Sequence, residues 1–292
     1  MKIAVLMGGI SSEREISLKT GGAILNSLLR MGYDAFELRL NEENMLGKLQ
    51  TTDFDLAFIA LHGEFGEDGR IQAVLDILKK EYTGSKYLAS AIAMDKEITK
   101  KILEAEGILV PKTYEKLNKI KEYPVIVKPA LEGSSVGLYV CKNEREVKEA
   151  LKKIKNKKIL IEEYIKGEEL TVGVLNEKGL GVVKIIPKSG IYDYESKYTK
   201  GKTVFEVPAK IEDTIYKKAL SISEEVYKIL NLDGAIRVDY ILKNGRLYFL
   251  EVNTIPGMTE TSLLPKIAFL EGYTFDNLVE KIMEKVAKKK KK

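Results

Sequence analysis

Two short segments carry the residues best suited to chemistry. Arg237-Val238-Asp239 opens one apolar run, and Glu251-Val252-Asn253 closes the next. Both runs read as strands. Side chains alternate across a strand, so Arg237 shares a face with Asp239, and Glu251 shares one with Asn253. Lys243-Asn244-Gly245 lies between them and reads as a hairpin turn. A two-residue Asn-Gly loop puts Asp239 and Glu251 on opposite faces. A three-residue loop or a bulge puts them on the same face, as a shared metal requires. Asp, Glu and the Asn carbonyl are hard oxygen donors, which suit Mg²⁺ sharing its shell with substrate phosphates. Singly, each is an ordinary surface residue. Together, beside Arg237 and among apolar neighbours, they form a candidate metal site.

Phosphates need a cradle. The chain has no G-x-x-x-x-G-K-[ST] and no G-x-G-x-x-G, which counts against P-loop NTPases and dinucleotide dehydrogenases. The candidate is the small-residue loop Glu132-Gly133-Ser134-Ser135-Val136-Gly137, with Lys128 at a strand end just before it. Its N–H groups could bind anionic oxygens, although a plain surface turn fits the same residues. Gly8-Gly9 and the following polar residues leave the first strand and open a helix. Helix capping is the ordinary local reading of Glu13 and Glu15, whereas a functional carboxylate there would hold an ammonium group. His62, the single histidine, sits at a strand end before a glycine-rich polar loop. It reads equally as a site wall or as a strand-end cap. Residues Ile191 to Lys202 lack a period but include Tyr192, Tyr194 and Tyr198, which suits a lid.

The elements that must position these groups begin as alternating strand and helix. Lys2 to Met7 and Phe54 to Leu61 read as buried strands; Leu18 to Met31 and Ile71 to Lys80 have helical spacing. That alternation predicts a parallel sheet with covered faces and ligands at the strands' carboxyl ends. Asp95 to Gly107 reads as a helix with Asp95 as N-cap and Gly107 as stop. A strand over Tyr123 to Pro129, a helix over Glu144 to Lys155 and a strand over Ile159 to Glu163 follow. From Leu170 the chain is mostly strand, with one helix over Asp213 to Leu230 and another near the C-terminus.

Composition sets the outer limits. The 292 residues are 45% hydrophobic and 31% charged, a globular balance that excludes wholesale disorder. No stretch is apolar enough to span a membrane, and the apolar run at the N-terminus is too short for a signal peptide. One cysteine, Cys141, cannot form an internal disulfide, consistent with a reducing cytoplasm. The net charge of +5 is matched by the five lysines Lys288 to Lys292, read as a frayed end, so the body is neutral and nucleic-acid binding is not indicated. Absent Trp and abundant Lys and Glu lean toward a thermophile.

In order and spacing, the segments GGISSEREISL, ALHGEFGEDGRIQ, VIVKP, EGSSVG, LIEEYIKGEELTV, YDYESKY, RVDY and LEVNTIPGMTETSLLP resemble the D-alanine–D-alanine ligases of the ATP-grasp superfamily. The resemblance runs from the first strand to about Leu264. It implies an α/β and α+β chain in three parts: a Rossmann-like parallel-sheet domain over 1–94, a small central domain over 95–163, and a mixed-sheet domain with metal site and lid over 164–292. It implies a reaction in which ATP phosphorylates one D-alanine and the amine of a second displaces phosphate. A homodimer and a role in peptidoglycan precursor supply follow from the same likeness.

Residue by residue, the likeness assigns Lys96 and Lys128 to the ATP phosphates. The loop residues Glu132, Ser134 and Ser135 also go to ATP, as do Lys197 and Asn253. Glu162, Glu163, Tyr164 and Ile165 match the hinge that holds adenine, and Glu169 matches the acid on the ribose. Asp239, Glu251 and Asn253 match the ligands of two Mg²⁺ ions, which Mn²⁺ could replace. Arg237 and the Gly257 N–H match oxyanion stabilisers. Glu13 matches the residue that holds the first D-alanine's ammonium, with His62 nearby. Ser262 and Lys197 match groups near the second D-alanine. Ser134 and Tyr198 match the partners of Glu13 in a triad that closes the lid, and Tyr198 favours a dipeptide product. The alternatives are another ATP-grasp carboxylate–amine ligase, a depsipeptide (D-Ala–D-lactate) ligase, or a non-catalytic nucleotide-binding protein on the same fold.

Overall fold

A computed structural model describes residues 1–133, 136–154, 157–188, 199, 201–259 and 261–289. The chain opens with β1 (Lys2–Gly8), α1 (Arg14–Arg30), β2 (Asp34–Leu40), α2 (Met45–Thr51), β3 (Leu56–Ile59), α3 (Arg70–Ile77), β4 (Glu81–Tyr82) and α4 (Tyr87–Met94). The four strands form one sheet in the order β2-β1-β3-β4, and every pair is parallel, as the alternation predicts. Successive β1 residues serve opposite faces. Ile3, Val5 and Met7 pack with Ile24 and Leu28 of α1, whereas Ala4 and Leu6 pack with Leu49, Ile59 and Leu75 on the other side. α1 begins four residues before the predicted Leu18, and β3 stops at Ile59 rather than Leu61. Beyond it Ala60 N–H still bonds Leu6 O at 2.9 Å, so His62 lies just past the carboxyl end of β3.

α5 (Lys96–Ala105) is capped as read. Asp95 accepts hydrogen bonds from the Glu97 and Ile98 N–H groups, and Gly107 takes φ +83° after the last turn. β5 (Val125–Pro129), β6 (Tyr139–Cys141), α6 (Glu144–Lys153) and β7 (Ile159–Glu163) follow, with the strands in the order β6-β5-β7. α6 lays Val147 and Ala150 on this small sheet, where they meet Val125 and Val127.

The remaining elements are β8 (Glu168–Leu175), β9 (Lys178–Pro187), β10 (Thr203–Glu206), α7 (Asp213–Ile229), β11 (Ala235–Lys243), β12 (Arg246–Asn253), α8 (Leu263–Leu270) and α9 (Phe275–Lys289). The sheet order is β10-β9-β8-β11-β12. Where a mixed sheet is expected, every described pair is antiparallel; two-residue turns join β8 to β9 and β11 to β12. The C-terminus holds two helices rather than one; α9 runs through Lys289, and Lys290 to Lys292 lie outside the described residues. α8 and α9 join the outer sheets: Leu264, Ile267, Leu278 and Ile282 share a core with β1, α1 and β9 residues. Among the described residues no helix is long and apolar enough to cross a membrane.

Candidate active site

The hairpin β11–β12 resolves the parity question. Lys243 pairs with Arg246, so the turn has two residues, Asn244 and Gly245, at φ +50° and +72°. Those positive values are the type I′ geometry that Asn-Gly favours. Unbroken, that register would face Asp239 with Leu250. Instead the register shifts between Asp239 and Tyr240: Tyr240 pairs with Phe249, and Asp239 pairs with Glu251. Leu250 is the extra residue of a β-bulge. Arg237 then pairs with Asn253, and all four polar residues occupy one face.

Thr171 of β8 pairs with Asp239 on its other side. Its Oγ1 donates to Asp239 Oδ1 at 2.5 Å and accepts from Arg237 Nε at 2.9 Å. Arg237 Nη2 reaches Asp239 Oδ2 at 3.2 Å. Glu251 Oε2 lies 3.2 Å from Lys96 Nζ, which also donates to the Glu132 carbonyl at 2.7 Å. Lys96 therefore ties the first turn of α5 both to the small-residue loop and to β12.

These groups form one end of a cavity of about 350 Å³ between the two antiparallel sheets. Lys96, Lys128, Glu132, Glu251 and Asp239 supply its charged end. Glu162, Glu163, Tyr164, Ile165 and Glu169 lie along it, and Ile126, Leu138, Ile186, Ile241 and Leu250 give apolar walls. The volume and the mixed lining suit a nucleotide-sized ligand. Glu162 points inward rather than along the hinge: its buried carboxylate pairs with Lys128 at 2.8 Å and with Lys100 of α5. Burial alone would raise its pKa, but the two lysines outweigh that and hold it below the usual carboxylate range. Asn253 does not line this cavity; its Oδ1 accepts from Ile255 N–H at 3.0 Å.

A second cluster adjoins the end of the parallel sheet. Glu13 occupies the N-cap position of α1, yet its side chain makes no capping bond, and Ser11 Oγ instead accepts from the Glu13 N–H at 3.1 Å. The local capping reading of Glu13 thus gives way. Its carboxylate lies between two glycines: a Cβ on Gly63 would fall 2.8 Å from Glu13 Oε2, and one on Gly133 would fall 2.9 Å away. Both glycines are needed for that close approach, and Gly63 also takes φ +65°. His62 is buried, with Nε2 3.0 Å from Thr20 Oγ1. Burial lowers its pKa against the pull of Glu13, which keeps the imidazole neutral at pH 7. Ser262 Oγ accepts from Thr259 N–H at 3.0 Å and lies where a Cβ on Gly257 would touch it at 3.0 Å. The loop from Thr254 therefore folds Gly257 and Ser262 together.

Ser134, Ser135, Lys197 and Tyr198, with nearly all of the lid segment, lie outside the described residues. Four site neighbours went unread in the sequence: Lys100, Thr171, Thr20 and Glu67. Lys100 follows Lys96 at i+4, one helix face, which was a usable signal. Glu67 Oε2 accepts from Gly63 N–H at 2.6 Å, and burial, with Glu13 nearby, pushes its pKa up to about 8.

Family models described as the D-ala D-ala ligase N-terminus and C-terminus match residues 37–85 and 88–284. A D-alanine–D-alanine ligase of Fusobacterium nucleatum is 55% identical over 285 residues, spanning 97% of this chain and 99% of that protein. One from Aquifex aeolicus is 45% identical, over 97% of this chain and 100% of its own. The crystal structure of a Bacillus anthracis D-alanine–D-alanine ligase complexed with ATP superposes with a TM-score of 0.86 at 34% identity, covering 100% of this chain and 99% of that one. The VanG D-Ala:D-Ser ligase of Enterococcus faecalis gives 0.85 at 27% identity, over 97% and 98%. By sequence and by fold, this chain belongs to the D-alanine–D-alanine ligase family.

Proposed function

We propose that the chain joins two D-alanines into D-alanyl-D-alanine at the expense of ATP, through an acyl phosphate, and so supplies peptidoglycan precursors in the cytoplasm. A carboxylate is a poor acyl donor; phosphorylating it creates a leaving group that the second amine can displace. The observation that carries this reading is the bulge pair. Asp239 and Glu251 face each other at one charged end of a cavity of mixed lining, with Arg237 braced beside them.

In this reading the nucleotide lies along Glu162 to Ile165, with its ribose toward Glu169 and its phosphates toward Lys96, Lys128 and the loop after Glu132. Asp239, Glu251 and Asn253 offer only oxygen donors from one face, the donor set that Mg²⁺ takes. Among the described residues no three His, Cys, Asp or Glu side chains converge, so phosphate oxygens and water would complete the shell. The ions, when bound, would neutralise phosphate charge.

The chain's own groups do the rest. Thr171 and Asp239 fix the guanidinium of Arg237, which with the Gly257 N–H stabilises negative charge on the reacting carboxyl group. Glu13 holds the first D-alanine's ammonium, and neutral His62 walls that subsite without adding a competing positive charge. Ser262 orients the second D-alanine. Lys197, Ser134 and Tyr198, which lie outside the described residues, are assigned to the substrates by the family likeness alone. The chain acts as a homodimer, an arrangement for which the exposed Leu46, Ile77 and Leu88 of the parallel-sheet region are suited.

ADP release tests the reading, with ATP, Mg²⁺ and D-alanine, beside arms with L-alanine, D-serine, and D-lactate plus D-alanine. Release with D-alanine alone, and the dipeptide by mass spectrometry, is the expected result. Activity only with D-lactate or D-serine present would reassign the product. Sedimentation at micromolar concentration reads the dimer.

A further inference from the structure

The cavity lining leaves out one buried cation that is bound directly to it. Lys100 sits in the middle of α5 with its side chain 3% exposed and does not line the cavity. Its ammonium pairs with Glu162 Oε1, while Glu162 Oε2 pairs with Lys128 Nζ at 2.8 Å. One buried carboxylate is thus shared by a lysine behind the cavity and a lysine facing it. Lys96, one turn before Lys100 on the same helix face, carries the third ammonium of the group, against Glu251.

The geometry points to Lys100 as a positioning residue for nucleotide binding: from behind the cavity, it holds Glu162 so that Lys128 is aimed at the phosphates rather than drawn into a closed ion pair. This rests on the placement of the nucleotide proposed above.

The physical argument is one of charge. Glu162 alone against Lys128 would be a neutral, self-satisfied pair, and an isolated buried pair has little reason to release its cation to a ligand. When Lys100 is protonated, two ammonium groups share one carboxylate, and the triad then carries a surplus positive charge beside the cavity. That surplus is satisfied only when an anion enters. Without ligand it is costly: burial, with Lys128 and Lys96 nearby, pushes Lys100 down to about 7, whereas Glu162 and Glu251 outweigh burial at Lys128 and raise it. Lys100 thus carries the strain of the triad, and Lys128 keeps its charge where the phosphates arrive. A lysine with a merely structural duty at this position would be expected to be replaceable by an apolar side chain of the same length.

Four variants test this: Lys100→Met, Lys128→Met, Glu162→Gln, and the double variant Lys100→Met/Glu162→Gln. For each, KM for ATP, KM for D-alanine, kcat and Tm are measured on the full chain. Lys100→Met should raise KM for ATP about tenfold, the scale of one charge-assisted hydrogen bond, with KM for D-alanine within twofold of the parent. The double variant should be no worse than Glu162→Gln alone, because Lys100 acts through that carboxylate. A lowered Tm with unchanged KM for ATP would overturn the inference, as would losses that multiply in the double variant. If Lys128→Met itself leaves KM for ATP unchanged, the underlying placement of the nucleotide fails instead. Should Lys100→Met not fold, Lys100→Gln makes the same comparison, since it removes the charge and keeps a donor.

Discussion

Asp239 and Glu251 stand directly opposite each other on neighbouring strands only because Leu250 is one residue more than the ladder needs. The two-residue turn at Asn244-Gly245 would otherwise have sent the two carboxylates to opposite faces, and a single extra residue corrects the parity. Glu251→Gln should therefore lower kcat by about a thousandfold or more, since it halves the carboxylate charge of the pair. Thr171→Val keeps the shape but removes the hydroxyl that joins Arg237 to Asp239, and kcat should fall about tenfold with KM for ATP little changed. Steady-state kinetics on both variants checks the pair.

Gly133→Ala tests the approach of Glu13 to the small-residue loop. The nearest atoms to the added methyl belong to the flexible end of Glu13, the closest at 2.9 Å, so the fold should tolerate it while the carboxylate is displaced. KM for D-alanine should rise by about tenfold, more than KM for ATP, with Tm nearly constant. An unchanged KM for D-alanine would remove Glu13 from the first subsite.

Glu67 gives a pH dependence with a defined sign. Its folded pKa of about 8 lies above the ordinary carboxylate value, chiefly through burial and then through Glu13. The stability associated with its protonated form is fully present below the unfolded pKa, near 4.5, and is lost as pH rises through about 8. Urea unfolding at pH 5, 7 and 9 should show a decline that Glu67→Gln reduces, by up to roughly 4 kcal/mol at pH 9.

Asp95→Ala removes the cap of α5 and an ion pair to Lys158 at 2.7 Å. The cost should be about 1–2 kcal/mol of stability, read from denaturant midpoints. Because α5 carries both Lys96 and Lys100, KM for ATP should rise as well.

Much of this was legible in the sequence where local physics decides. The Asp95 cap, the Gly107 stop and the strand Ile159–Glu163 appear as read, and the hairpin was reduced to a parity question with a bulge as one answer. β2, α2, α4, β6 and β10 were not read. β2 is an edge strand with a mostly half-exposed face, and β6 and β10 have only three and four residues, too few for a period to emerge. Thr171 looked like an ordinary β-former in an apolar strand. Glu67 lies in a loop, where no periodicity says which side chains turn inward. Lys100 was one lysine among many, and only its ion pair with Glu162 of β7 in the fold shows that it is buried.

The helix Phe275–Lys289 rests on the helix Arg14–Arg30, with Ser27 Oγ bonded to Asp276 Oδ1 at 2.6 Å and Leu278 and Ile282 in the core beside β1. Contacts some 250 residues apart set an order of assembly on the ribosome. α1 covers its face of the parallel sheet early, but the outer side of α1 lacks α9 until that helix has emerged from the exit tunnel, although the sheet's own strands were made long before. Throughout that interval the core around α1 lacks Leu278 and Ile282, and chaperone capture is most needed then.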